Sequence, residues 1–321
     1  MSKFNIVSGK HIAGLLLIFF SHLSFSFWVK AEDRLATLSL PLKQDTLVLA
    51  RVSTNPSEHY KYLKPVADYL VANLKDLGIK KAKVLFANDN QQMIRFIKQG
   101  KVDLITETTF SAALFNEKVG AEILLRRWKK GVPEYSSVIF SRKDSGIDSF
   151  EDLPGKVIAF QDRGSSSAFF IPASILIRDG YELYKLDSPR ELPPQDKIGF
   201  VFANKEINIS TWVHKGIVEA GAFSNLDWNN EEDMPSEYRK DLSINYESHP
   251  FPRGIELVRS DLHPVLKARI KEILMTAHEN EAGRKALAAY QKTKKYDELD
   301  EKSSEGVKIA NELRHIVENQ L

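Results

Sequence analysis

Residues 155–177 read GKVIAFQDRGSSSAFFIPASILI. A short apolar strand, Val157 to Phe160, runs into a turn at Gly164; three serines follow, and an apolar segment of helical character closes the stretch. Strand, turn and helix in that order form the repeating unit of α/β proteins. The order also places hydroxyls and unpaired backbone N–H groups at the front of a helix, where the positive dipole end favours an anion. Capping uses one serine, so the triplet Ser165, Ser166 and Ser167 is open to both capping and anion binding. Proline is tolerated in a first helical turn but not deeper. Pro172 therefore sets the expected helix start near Phe169 or Phe170, with the serines in the loop.

The alternation continues on both sides. Thr46–Val52 reads as a strand, Pro65 as the opening of a helix closed by Gly78, Lys83–Phe86 as a strand, Met93–Ile97 as a short helix, and Val102–Thr106 as a strand. This βαβαβ run predicts a largely parallel sheet. A helix over Phe110–Glu117 and strands over Glu122–Leu125 and Tyr135–Arg142 lead to the second unit. There, strands at Leu183–Leu186, Ile198–Phe202 and Ile217–Phe223 surround a helix at Ile207–Lys215, and Asn229–Asp241 reads as a polar surface connection. A helical tail follows Pro264, with a charged loop over Lys292–Ser304 and a last helix at Val307–Val317.

At the amino terminus Lys3 and Lys10 precede an apolar stretch, Ile12–Val29, that ends in Val29-Lys30-Ala31. The flanks and length predict a secretory signal peptide over residues 1–31, cleaved after Ala31, and Ser21, His22, Ser24 and Ser26 argue against a retained anchor. Its removal takes three lysines and no acid, leaving 42 basic against 43 acidic residues and a net charge of −1 instead of +2. A basic footprint for nucleic acid is absent, and Arg126-Arg127-Trp128-Lys129-Lys130 is expected as a solvated loop at a strand end. The chain has no cysteine, which excludes disulfides, thiolate zinc sites, cysteine nucleophiles and a lipid-modified terminal cysteine. The expected location is the periplasm, free of a lipid anchor.

Enzyme signatures are missing: there is no G-x-S-x-G, G-x-x-x-x-G-K-[ST], G-x-G-x-x-G or H-E-x-x-H, and no two of the eight histidines stand at metal-ligand spacing. No enzyme activity, metal or cofactor is expected. What remains is a set of polar residues after expected strands, where open α/β sheets place ligands. Arg51, Ser53, Thr54, Asn55 and Tyr60 follow the first strand; Glu107, Thr108 and Thr109 follow the third. Tyr135, Ser136 and Ser137 stand at the junction of the two units, and Ser165 to Ser167 face them. Thr108 and Thr109 equally suit caps for the Phe110 helix, and Glu107 an ion pair with Arg51.

Three blocks carry a likeness to a known family: GKVDLITETTFSAALF (Gly100–Phe115), YSSVIFSRKDSGIDSFEDLPGKVIAFQDRGSSSAFFIP (Tyr135–Pro172) and WVHKGIVEAGAFSN (Trp212–Asn225). From about Thr46 to Ile316 the chain resembles the PhnD-type periplasmic phosphate, phosphite and phosphonate binding proteins of ABC transporters. The resemblance implies an α/β, type II periplasmic-binding fold, with two lobes joined by two hinge strands and a ligand cleft between them. Lobe 1 would comprise residues 45–136 plus 255–321, lobe 2 residues 143–245, and the hinge residues 137–142 and 246–254. It implies ligand contacts from Tyr135, Ser136 and the three serines, in addition to the strand-end set Arg51, Ser53, Tyr60, Glu107 and Thr108.

The implied function is capture of a small anionic or zwitterionic ligand for an ABC permease. The alternative is a periplasmic sensor subunit docking on a membrane histidine kinase or cyclase. Phosphonate-binding relatives often carry a Gly-His pair ahead of a lobe-2 helix, where this chain has Ala203-Asn204-Lys205-Glu206, and a neutral residue where it has Glu107. A carboxylate beside a dianion is costly. Glu107 is therefore paired with Arg51, or binds a ligand amine, or signals a cargo other than a phosphorus oxyanion.

Overall fold

A computed structural model describes residues 44–53 and 55–318; the expected signal segment and Thr54 lie outside the described residues. The chain begins with β1 (Thr46–Val52), α1 (Pro56–Ala72), β2 (Lys81–Ala87), α2 (Asn90–Lys98), β3 (Leu104–Glu107), α3 (Thr109–Val119) and β4 (Glu122–Arg127). It then passes through β5 (Glu134–Tyr135) into β6 (Ser137–Arg142), β7 (Val157–Phe160), α4 (Ile171–Arg178), β8 (Leu183–Lys185), β9 (Ile198–Phe202), α5 (Glu206–His214) and β10 (Ala220–Ser224). Two short helices, α6 (Asn225–Trp228) and α7 (Ser236–Asp241), precede β11 (Leu242–Glu247). The return runs through β12 (Phe251–Pro252), β13 (Ile255–Val258), α8 (Pro264–Thr276), α9 (Glu281–Ala289), β14 (Tyr296–Asp297) and α10 (Glu301–Glu318).

The strands form two six-stranded sheets, ordered β14-β4-β13-β3-β1-β2 and β11-β6-β10-β7-β9-β8. The largely parallel sheet expected from the sequence is in fact mixed. β1 pairs in parallel with β2 and β3, and β7 with β9 and β10, but β13, β4 and β14 are antiparallel, as are β6 and β11. The reason is topological: β6 and β13 enter their sheets just after the chain has crossed from the other lobe, so each runs against its neighbours. Both stretches expected as hinge strands, Tyr135–Arg142 and Gly254–Val258, thus lie mostly within sheets. The crossing itself is the two-residue ladder of β5 and β12, Tyr135 opposite Phe251 and Glu134 opposite Pro252.

Local chemistry explains most boundaries. Helix α1 starts nine residues before Pro65, capped by Asn55, whose side chain accepts from the Glu58 N–H, and Pro65 is accommodated inside it. In α9 a Cβ on Gly283 would lie 2.0 Å from the Ala277 carbonyl oxygen, so the packing there admits only glycine. Lobe-2 packing is aromatic, with Phe140, Phe160, Phe200 and Phe223 fully buried. The last helix, grouped with lobe 1 in the sequence reading, packs against both α3 and α4. Its Ala310 and Leu313 join Phe110, Ile171, Ile175 and Phe251 in one apolar cluster spanning the lobes.

Candidate functional site

The carboxyl ends of β1, β2 and β3 face the turn that follows β7, and between them lies a cavity of about 390 Å³. Its first-lobe wall contains Arg51, Asn88, Asn90, Glu107, Thr108, Phe110 and Ser111; the second lobe adds Arg163, Ser166 and Phe170, and α10 adds Arg314. Crevices outside strand carboxyl ends are where α/β sheets hold ligands. The Phe110 and Phe170 rings, one from each lobe, are 5.7 Å apart and close the cavity's apolar side.

The three serines have separate tasks. Ser165 is a cap: its Oγ accepts from the Ala168 N–H at 3.2 Å. Ser166 is 9% exposed, lines the cavity and faces the Tyr135 hydroxyl. The Ser167 carbonyl accepts from Ser137 Oγ at 2.6 Å, tying the turn to β6. The serines are not in a loop, as expected, but in a π-helical turn over Ser166–Phe170 that leads straight into α4. The Phe170 N–H reaches back to the Ser165 carbonyl at 3.0 Å, and Pro172 falls in the first α-turn, where its missing N–H is harmless. Ser165→Ala should therefore cost about 1 kcal/mol in denaturant unfolding, as a lost cap does. Anion affinity should change less than about twofold in this variant, under 0.5 kcal/mol.

Thr108 occupies the N-cap position of α3 without making a side-chain cap bond, which leaves its hydroxyl available to the cavity. Thr109, in contrast, donates to the Pro252 carbonyl at 2.5 Å and fastens α3 to the crossing ladder. Glu107 is 5% exposed. One carboxylate oxygen accepts from the Val52 N–H at 2.6 Å and the other from the Thr108 N–H at 3.3 Å. Burial pushes its pKa up, while Arg51 and these two N–H groups pull it down. Arg51 acts on Glu107 through space; among the described residues no ion pair within 4.0 Å joins them. Glu107 thus clasps the ends of β1 and β3.

Ser53 is buried, with its hydroxyl 2.6 Å from His59 Nδ1 and accepting from the Asn55 N–H. Tyr60 is 45% exposed on α1 and stands outside the cavity wall. Ser136 is held through its backbone by Asn225, its N–H donating to Oδ1 at 3.1 Å. With Tyr135, Asn225, Glu247 and Lys302 it borders a separate cavity on the crossing ladder. Burial raises the Tyr135 pKa to about 12, so it stays a phenol.

Several cavity residues were not singled out from the sequence. Asn88 and Asn90 follow β2 as Arg51 follows β1, a signal that strand-end reasoning could have used. Arg163 sits in the same turn as the serines. Arg314 comes from the far end of the chain, placed by α10, and donates to Asn311 Oδ1 at 2.9 Å and to Glu117.

The expected solvated loop at Arg126–Lys130 is a correction. Arg126 and Arg127 are buried because carboxylates await them: Arg126 bonds Asp297, Glu134 and Asp300, and Arg127 Nε lies 3.5 Å from Glu256 Oε1. Among the described residues no cluster of metal-binding side chains occurs, and no helix is long and apolar enough to cross a membrane.

Comparison with known proteins agrees with this architecture. The chain is 29% identical over 140 residues to the phosphate-import protein PhnD of Mycolicibacterium smegmatis, an alignment covering 42% of this chain and 43% of that protein. Structures of XAC2383 from Xanthomonas citri, solved with chloride and with ATP, share 30% identity at a TM-score of 0.77, covering 87% of this chain and all of theirs. PhnD1 from Prochlorococcus marinus, solved with methylphosphonate, shares the type II periplasmic-binding fold at a TM-score of 0.59 and 15% identity, covering 86% of this chain and 99% of its own. The sequence profile described as "ABC transporter, phosphonate, periplasmic substrate-binding protein" matches residues 50–303. That span includes both sheets except the start of β1, and all of the cavity wall except Arg314, and the chain belongs to this family of periplasmic solute-binding proteins.

Proposed function

We propose that this chain, exported by residues 1–31, captures a small phosphoryl- or phosphonyl-bearing anion between its lobes and delivers it to an ABC permease. One observation carries the reading: arginines and hydroxyls reach a single cavity from both lobes, Arg51 and Thr108 from one side, Arg163 and Ser166 from the other. A ligand touching both walls favours the closed arrangement by the difference in its affinity for open and closed forms. No covalent step is needed. The related proteins named for phosphate import or solved with ATP and methylphosphonate fit the same chemistry. The family match favours delivery to a permease over the sensing alternative.

Glu107 fits a pure oxyanion cargo better than an amine-bearing one, since both its oxygens already accept backbone N–H groups. Isothermal titration with phosphate, phosphite, methylphosphonate, 2-aminoethylphosphonate and ATP is the test. Saturable heat is expected with at least one, and silence with all five overturns the reading. Glu107→Gln should tighten methylphosphonate and leave 2-aminoethylphosphonate no weaker. Selective loss of the aminophosphonate would assign the carboxylate to a ligand amine.

A further inference from the structure

Arg51, Lys129 and Arg253 stand close enough to repel one another, and among the described residues none has a carboxylate within 4.0 Å. Ion pairs within 4.0 Å engage Arg126, Arg127 and Arg259, but none among the described residues engages Arg51, Lys129 or Arg253. Arg51 lines the cavity, and its buried Nε has no hydrogen-bond partner. Lys129 and Arg253 are held together by the backbone: the Arg253 guanidinium donates to the Lys129 carbonyl at 3.0 Å, and its N–H to the Pro133 carbonyl at 2.8 Å. The loop that presents Lys129 turns sharply, bridging Lys129 to Val132 with Lys130 at φ 52° and Gly131 at φ 80°. A lysine in the left-handed region is an uncommon strain for a loop to keep.

The acids within reach are otherwise engaged. Glu107 accepts from two backbone groups, Glu256 pairs with Arg127, and Asp227 caps the turn at Ser224. The uncompensated charge shows in Lys129 itself, whose pKa is pushed down to about 7 by burial and by Arg127, Arg253, Arg51 and Lys130. Half-buried cations gathered without acidic partners repel one another and destabilise a fold, so such a group is explained by a partner that arrives later. Arg253 also acts on Tyr135, which faces Ser166, so the cations adjoin the hydroxyl side of the cleft.

We infer that Arg51, Lys129 and Arg253 form a second anion subsite beside Ser166 and Tyr135, and that the ligand carries two linked phosphoryl groups. This rests on the anion-capture reading above. One phosphoryl group meets Ser166 and Thr108; the second lies among the three cations.

Titration of the full mature chain with orthophosphate, methylphosphonate and inorganic pyrophosphate tests it, in parallel with Lys129→Met. Pyrophosphate should bind at least about tenfold more tightly than orthophosphate to the native chain, the gain that one further charge-assisted contact supplies. In Lys129→Met the ratio should fall below about threefold while methylphosphonate affinity stays within about twofold. The variant's unliganded Tm should rise, since a half-buried charge repelled by its neighbours is gone; a lower Tm would make Lys129 structural and overturn the inference. Equal binding of the two phosphates by the native chain, or a ratio unchanged in the variant, overturns it as well while leaving anion capture intact. Absence of heat with every anion removes the anion-capture reading itself, and the subsite with it.

Discussion

Arg127→Met should lower the unfolding free energy by about 3–5 kcal/mol, the range for removing one member of a buried ion pair. The Arg127 side chain is 3% exposed and that of Glu256 2%. The guanidinium also lies 4.1 Å above the Tyr290 ring and donates to Gln291 Oε1 and Thr293 Oγ1 at 3.2 and 3.3 Å. Glu256 accepts in addition from Thr106 Oγ1 at 2.9 Å. Without Arg127 its carboxylate is left buried with one hydroxyl for company.

The same pair sets a pH dependence. Burial raises the Glu256 pKa to about 7 from its ordinary 4.5, even with Arg127 pulling it down. An acid raised in the folded state favours folding when protonated, so its contribution falls as pH rises from about 4.5 to about 7, by about 3 kcal/mol at most. Arg127→Met should extend that decline to higher pH, and adding Glu256→Gln should recover much of the loss. Urea unfolding at pH 5 and pH 8 checks this. A loss below about 1 kcal/mol at pH 8, or a double variant no better than the single, would contradict the paired arrangement.

Ser166→Asp should weaken anion binding by about thirtyfold or more. The side chain is 9% exposed and points into the cavity that Arg51, Thr108 and Arg163 share. A carboxylate about 4 Å from a bound anion costs about 4 kcal/mol at an effective dielectric constant of 20. Discounting half of that for relaxation still leaves more than a tenfold loss, since each 1.4 kcal/mol is tenfold. Ser166→Ala removes a donor without adding charge and should cost about tenfold or less, as a single hydrogen bond does. Titration of both variants beside Ser165→Ala orders the effects as Asp, then Ala at 166, then Ala at 165. Affinity in Ser166→Asp within threefold of the native chain would move the ligand away from this face.

The serine triplet shows where sequence reasoning reached and where it stopped. Gly164, three serines and an apolar helix announced hydroxyls at a helix front. They did not reveal which serine caps and which faces the cleft. That assignment follows from the π-helical turn, whose i→i+5 spacing sets Ser166 facing Tyr135 while Ser165 caps the turn. Thr108 illustrates the reverse: its position argued for a cap, yet it makes no cap bond.

Arg126 and Arg127 mark the larger gap. Five polar and aromatic residues in a row suggest a solvated loop, because the sequence shows cations but not the acids that meet them. Asp297, Asp300 and Glu256 arrive from strands and turns more than 100 residues downstream, and only their convergence turns an exposed run into a buried network. Arg314 reaches the cavity by the same long-range route, on a helix that both lobes grip.

From the sequence alone came the alternation of strands and helices, the two-lobed α/β class, the absence of cysteine and catalytic motifs, and polar strand ends suited to an anion. These depend on local periodicity and composition, which a linear text records. Strand direction at the crossing, the bridging role of the last helix, and the pairing or isolation of each buried charge were decided by the tertiary structure. Those features depend on which distant residues meet in a poorly solvated interior, where one partner within 4 Å changes a charge from costly to stabilising.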